Sequence, residues 1–196
     1  MNAQPQQKAR MTAEAYLAFE KHSDSKHEYF DGETFAMAGA TPNHNRIQHN
    51  ISGILWSQRA NMRCDTFLSD QRVKIEAVEN YTYPDLSIAC GESEFDSDDC
   101  LLNPIVIIEI LSKSSEAFDR GDKFTHYRMI PSLNEYLIIS QYSCKVERFI
   151  RGANGIWQIL NPYTDMALSI KIACIDCELP LADIYYRVAF ETDGKI

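Results

Sequence analysis

The stretch IVIIEIL, Ile105 to Leu111, sets six aliphatic side chains around one carboxylate, Glu109. Pro104 precedes it and a serine-rich stretch follows. Seven residues are too few for a buried helix, so the segment reads as a central strand covered on both faces. An isolated ionised carboxylate in such an interior is very costly unless it is paired, bound to metal or protonated. Whatever satisfies Glu109 therefore constrains both the fold and the chemistry.

The surrounding pattern alternates helices and short strands. Thr12 is placed to cap a short helix with Tyr16, Leu17 and Phe19 on its apolar side. HEYFDGETFAMAG reads as a hairpin around Asp31-Gly32. After Pro42, the residues Ile47, Ile51, Ile54 and Leu55 fall at helical spacing. CDTFLS and QRVKIEA read as strands, Asn80 to Pro84 as a turn into the strand DLSIAC, and GESEFDSDDC as a loop. SKSSEAFDRGDKFTHYRMIP is expected to be one helix, weakened at Gly121, with Phe118, Tyr127 and Ile130 on one side. EYLIIS, CKVERFI, GIWQIL and LSIKIACI follow as strands before ELPLADIYY. This order implies an α/β or α+β protein whose sheet is covered by helices.

At 196 residues the chain fits one domain, read as 11–196 after a polar, disordered stretch over 1–10. No run approaches the ~18 apolar residues of a membrane span, and MNAQPQQKAR lacks the apolar core of a signal peptide, so a cytoplasmic protein is expected. The six cysteines are expected to be reduced thiols, and the CxxC at Cys174 and Cys177 to be core or surface residues instead of a metal site. A formal charge of −9 argues against coating nucleic acid by charge alone. It leaves room for a local basic groove beside an acidic centre.

Asp85 and Glu109 stand on segments joined by a loop short enough for antiparallel pairing. Two carboxylates so paired come within about 5 Å. They repel unless a cation lies between them, and hard oxygen ligands suit Mg²⁺ or Mn²⁺. The chemistry that follows is metal-assisted hydrolysis of a phosphodiester. A fixed positive group is expected nearby, but the position sharing the side of Glu109 is Leu111.

Tyr83-Pro84-Asp85 followed by Glu109 in an apolar strand resembles the PD-(D/E)XK nuclease superfamily. PDLSIAC, IVIIEILSKSSEAFDRGDKFTHYR and LNEYLIIS are similar, more closely, to the bacterial restriction endonuclease domain family. The similarity runs from HEYFDGE to LPLADIYY. It implies a restriction-endonuclease-like core, a mixed central sheet flanked by helices. In that family the strand lysine is absent and a lysine on the next helix substitutes, the position of Lys123 here. The resemblance thus implies Asp85 and Glu109 as Mg²⁺ (or Mn²⁺) ligands, the carbonyl of Ile110 as a further ligand, and Lys123 as the catalytic cation. It implies DNA as substrate and admits a homodimer. Glu28, before the hairpin turn, is a candidate to complete the metal site. His44 is placed to face the cleft, Gln71 is a candidate polar helper, and Ser112 is expected to cap the helix or hold Glu109.

Each residue also has a structural explanation. Asp119 precedes Lys123 by four, a favourable helical pair. Lys113 is a rival cation, read as a solvated loop residue, and Glu109 could serve only a buried ion pair. Arg59, Arg63, Arg72 and Lys74 suit a nucleic-acid groove or merely a solvated face. Trp56 and Trp157 read as core or interface. The competing functions are a non-catalytic binding module that keeps the nuclease fold, and a hydrolase of small phosphorylated molecules with a closed pocket.

Overall fold

The computed structural model describes residues 10–60, 63–113 and 115–190. The stretch expected to be disordered, 1–10, lies outside the described residues except for Arg10. Thr12 caps α1 (Ala13–Glu20), its hydroxyl accepting from the Ala15 amide at 3.2 Å. The buried side of α1 is Ala13, Tyr16 and Glu20, whereas Phe19 is exposed. Glu20 is buried because it accepts from the His27 amide and the Tyr83 hydroxyl.

β1 (His27–Phe30) and β2 (Glu33–Ala36) form the expected hairpin, with Phe30 opposite Glu33. Asp31 and Gly32 both take positive φ, 49° and 87°, as a two-residue turn matching strand twist requires. β3 (Cys64–Leu68) and β4 (Val73–Ile75) fall where alternation places them. The segment expected to be a turn contains β5 (Asn80–Thr82) instead, fully buried between β4 and β1. Pairing on both edges overrides the turn preference of Asn80. The order β2-β1-β5-β4 makes one four-stranded sheet.

The larger sheet has the order β10-β9-β8-β7-β6-β3, adding β6 (Leu86–Cys90), β7 (Val106–Leu111), β8 (Glu135–Ser140), β9 (Val146–Arg151) and β10 (Trp157–Ile159). β7 is central and buried throughout, antiparallel to β6 and parallel to β8. Val106, Ile108 and Ile110 pack with Ile47, Ile51 and Leu55 of α2 (Pro42–Gln58). Ile107 and Leu111 pack on the other face with Tyr127, Tyr136 and Phe149. Each such aliphatic side chain contributes about 1.5–3 kcal/mol by leaving water, which fixes the register of β7. A one-residue slip would turn Glu109 into the apolar layer beneath α2.

The β7–β8 connection carries two short helices where one was expected: α3 (Glu116–Arg120) and α4 (Asp122–Tyr127). Gly121, at ψ −97°, breaks the helix between them. The inward residues are Asp119, Lys123, Tyr127 and Ile130, while Phe118 meets Phe30 and Phe35 of the hairpin. β11 (Ser169–Ile172), β12 (Cys177–Pro180) and α5 (Leu181–Ile184) close the layer over α2. Among the described residues no helix is long and apolar enough to cross a membrane.

The cysteine expectation needs correction. Cys64 and Cys90 stand opposite each other on β3 and β6 and form a disulfide, because the register places them face to face at the sheet edge. Cys100, Cys144, Cys174 and Cys177 are free, and the last two pack in or against the α2 core layer. Thiol titration of the unreduced, denatured protein is therefore expected to find four reactive thiols of the six cysteines. Six would contradict the cross-strand bond.

Candidate active site

Asp85 immediately precedes β6, and the register that pairs Leu86 with Ile108 carries it to the place opposite Glu109. Three contacts hold it there. The Ile110 amide donates to Asp85 Oδ2 at 2.7 Å, His44 Nε2 lies 3.1 Å from the carboxylate, and Gln48 Nε2 donates to the Asp85 carbonyl at 2.8 Å. His44 is delivered by the first turn of α2, where Thr41 caps the helix through the His44 amide. His44 Nδ1, the ring nitrogen that does not meet Asp85, is buried without a hydrogen-bond partner among the described residues. The Asp85 amide approaches Glu109 Oε2 at 3.4 Å, a long and weak contact that leaves this oxygen largely uncommitted.

Glu109 is 4% exposed, and so is Lys123. Lys123 Nζ lies 2.9 Å from Glu109 Oε1, 2.9 Å from Glu28 Oε1 and 3.6 Å from Asp119 Oδ1. The helical pairing of Asp119 with Lys123 and the placement of Lys123 against Glu109 are thus one arrangement, since residues 119, 123 and 127 share the inward side of α3 and α4. Burial alone would lower Lys123, but Glu109 and Glu28 outweigh it and hold the ammonium well above its ordinary range. Burial pushes Glu109 up to about 8, against the pull of Lys123 and with the added repulsion of Asp119, Asp85 and Glu28. Burial likewise raises Asp119. Three buried acids, Glu109, Glu28 and Asp119, share one lysine, while Asp85 is held by His44 and the Ile110 amide.

The sequence pointed to several groups that lie elsewhere. Gln71 is not on a strand; its side chain holds the carbonyls of Arg72 and Asp99. Arg72 and Lys74 are tied to the same loop, through the Asp98 carbonyl and the Asp96 carboxylate, and form no open groove. Lys113 lies past the end of β7, exposed, with its ammonium 5.6 Å from the centre of the Tyr142 ring. Trp56 is 68% exposed and so is no core residue, its ring facing the Arg59 guanidinium, while Trp157 packs on Phe124. Ser112 opens the turn into α3, its hydroxyl accepting from the Ser115 amide. Leu111 is buried in the core with Ile107, Tyr127 and Ile138.

Sequence reasoning missed Thr82, Tyr127, Gln48 and the inward role of Asp119. Tyr127 donates to Glu109 Oε1 at 2.8 Å, and Thr82 donates to Glu28 Oε1. The signal was available in the spacing Asp119, Lys123, Tyr127, three polar groups repeating every four residues on one side. Thr82 could not be found while its segment read as a turn. A separate cleft, lined by none of these site residues, opens between the hairpin and α3–α4 at Phe30, Phe35, Phe118, Asp122 and His126.

The donor set fits a hard divalent cation. Among the described residues no three His, Cys, Asp or Glu side chains converge as a ready-made metal cluster. The oxygens of Asp85 and Glu109, two carboxylates facing each other across neighbouring strands, are of the hard type with which Mg²⁺ is usually bound when water and substrate phosphate complete its shell.

A family model described as "Putative restriction endonuclease", Uma2, matches residues 13–176. Two uncharacterised proteins of Synechocystis are similar, one 34% identical over 92% of this chain and 94% of its own, the other 38% identical over 75% and 84%. The crystal structure of "a putative nuclease belonging to DUF820" from Anabaena variabilis superposes with a TM-score of 0.70 at 16% identity, covering 89% of this chain and 97% of that one. That likeness shows a shared restriction-endonuclease-like fold. With most of its length matched by the family model, the chain belongs to the Uma2 family.

Proposed function

We propose that the protein is a metal-dependent endonuclease that hydrolyses phosphodiester bonds in DNA. The observation that carries this reading is the meeting of Asp85, Glu109 and Lys123 in one buried site, from three separate elements. Asp85 and Glu109 would hold Mg²⁺ or Mn²⁺, with the Ile110 carbonyl as a further ligand. Such an ion, when bound, makes hydroxide available near neutral pH and neutralises charge on the phosphate. Water oxygen joins phosphorus, the bond from phosphorus to the leaving sugar oxygen breaks, and a proton reaches that oxygen.

Lys123, held against Glu109 and Glu28, would supply the fixed positive charge of the site. His44 and the Ile110 amide keep the Asp85 carboxylate in place. Duplex cleavage calls for two centres, so the reading includes a homodimer. The net charge of −9 confines DNA contact to local features, and it favours the second reading, a binding module that keeps the nuclease fold without catalysis.

A cleavage assay on duplex and single-stranded DNA and on RNA, with Mg²⁺ or Mn²⁺, separates the two. The wild type is expected to cut DNA. Asp85→Ala, Glu109→Ala and Lys123→Ala are each expected to lose at least about a hundredfold, in line with loss of a preorganised charged group. Activity that survives all three changes would come from another site or a contaminant, and no activity in the wild type would favour the binding module.

A further inference from the structure

Five buried groups, Glu28, Thr82, Tyr127, Glu109 and Lys123, lie in one ring of contacts. Glu28 Oε1 accepts from the Thr82 hydroxyl, and also from the Tyr83 amide at 3.0 Å. The Tyr127 hydroxyl donates to Glu109 Oε1 at 2.8 Å and packs 3.0 Å from Thr82 Oγ1, a contact between two hydroxyls whose single protons are both committed to carboxylates. Lys123 Nζ, 2.9 Å from each of those same carboxylate oxygens, completes the circuit. Each contact that reaches a glutamate lands on its Oε1, so the ring holds those oxygens. The outer oxygen of Glu109 is the one near the Asp85 amide.

A carboxylate with two donors on one oxygen cannot rotate without breaking both bonds. From this geometry we infer that Tyr127 and Thr82 are positioning residues that aim Glu109 Oε2 and hold the Lys123 ammonium. Glu28 then anchors Lys123 and is not a metal ligand. The inference rests on the nuclease reading and adds to it a division of labour. Asp85 and the outer side of Glu109 face the cation and substrate, while Glu28, Thr82 and Tyr127 form the frame behind. Groups that orient a ligand from behind it typically contribute 10–100-fold in metal affinity or activity.

The test is Mn²⁺ titration calorimetry of the full chain, with cleavage rates at saturating Mn²⁺. Tyr127→Phe keeps the ring that packs on Tyr136 and removes only the hydroxyl. It and Thr82→Val are each expected to weaken Mn²⁺ binding by about tenfold and to lower kcat. Thr82→Ser, which restores the donor, is expected to stay near wild type. Glu28→Gln is expected to keep Mn²⁺ affinity within a few-fold while kcat falls. A solely structural role would instead lower the unfolding midpoints and leave the Mn²⁺ affinity of the folded variants unchanged, and that result overturns the inference. So would a loss of Mn²⁺ in Glu28→Gln as large as in Asp85→Asn. If Tyr127→Phe does not fold, the comparison of Thr82→Val with Thr82→Ser decides alone. A wild type that takes up no Mn²⁺ removes the nuclease reading itself. Normal uptake in wild type, Tyr127→Phe and Thr82→Val together removes only the positioning roles.

Discussion

Glu109→Gln is expected to lose cleavage by at least about a thousandfold while raising the unfolding midpoint. The loss follows from removing one of two carboxylates that would hold the cation, together with part of the electrostatic preorganisation of the site. The gain follows from burial. An amide of the same shape accepts from Lys123 and Tyr127, yet adds no charge to a site where Glu28 and Asp119 already pair with that lysine. The carboxyl of Glu109 is pushed from 4.5 to about 8, so its native state prefers the proton that the unfolded chain releases. Its contribution to stability is therefore fully present below about pH 4.5 and is lost as pH rises to about 8. At neutral pH the cost of this group is on the order of 1–3 kcal/mol. Paired wild-type and Glu109→Gln melts across that window should diverge as pH rises, with the variant the more stable. Parallel curves would mean that Glu109 is ionised at little cost. Because a divalent cation binds the carboxylate form, wild-type affinity for Mg²⁺ is expected to climb over the same window.

Lys123→Met carries the opposite stability effect. The methionine matches the apolar stem but leaves Glu28, Glu109 and Asp119 buried without their common cation. Breaking a buried pair from one side typically costs about 3–5 kcal/mol, a large share of the stability of an ordinary domain. Denaturant unfolding in EDTA should show this fall, with cleavage lost as well. Added Mn²⁺ should raise the midpoint of the variant more than that of the wild type, since the ion replaces part of the missing charge. Equal stability of Lys123→Met and wild type would mean that the acids around it are already protonated and that the lysine has no electrostatic task.

The central strand and the pairing of Asp85 with Glu109 were legible because both follow from local pattern. Five buried aliphatics around one acid admit few folds, and the short loop to Asp85 makes antiparallel pairing the simplest outcome. The reach of Lys123 was legible only through resemblance to a family, since helical spacing alone explained it as the partner of Asp119. The structure keeps that pairing and buries it, which spacing could not foresee. What stayed hidden depended on contacts distant in sequence. Asn80–Thr82 becomes a strand because β1 and β4 flank it, some fifty residues from one partner, and only then does Thr82 meet Glu28. Gln71, Arg72 and Lys74 offered the right chemistry at the wrong place, because the loop over 96–100 folds back and takes their donors. The bond between Cys64 and Cys90 likewise depends on the β3–β6 register, not on any spacing visible in the chain.

Calorimetric titration of the metal-free protein with Mn²⁺ tests the main claim most directly, compared across wild type, Asp85→Asn and Glu109→Gln. The account predicts saturable uptake at one site per chain in the wild type and none in either variant, although both variants fold. Undiminished uptake in both variants, or none in the wild type, would contradict it.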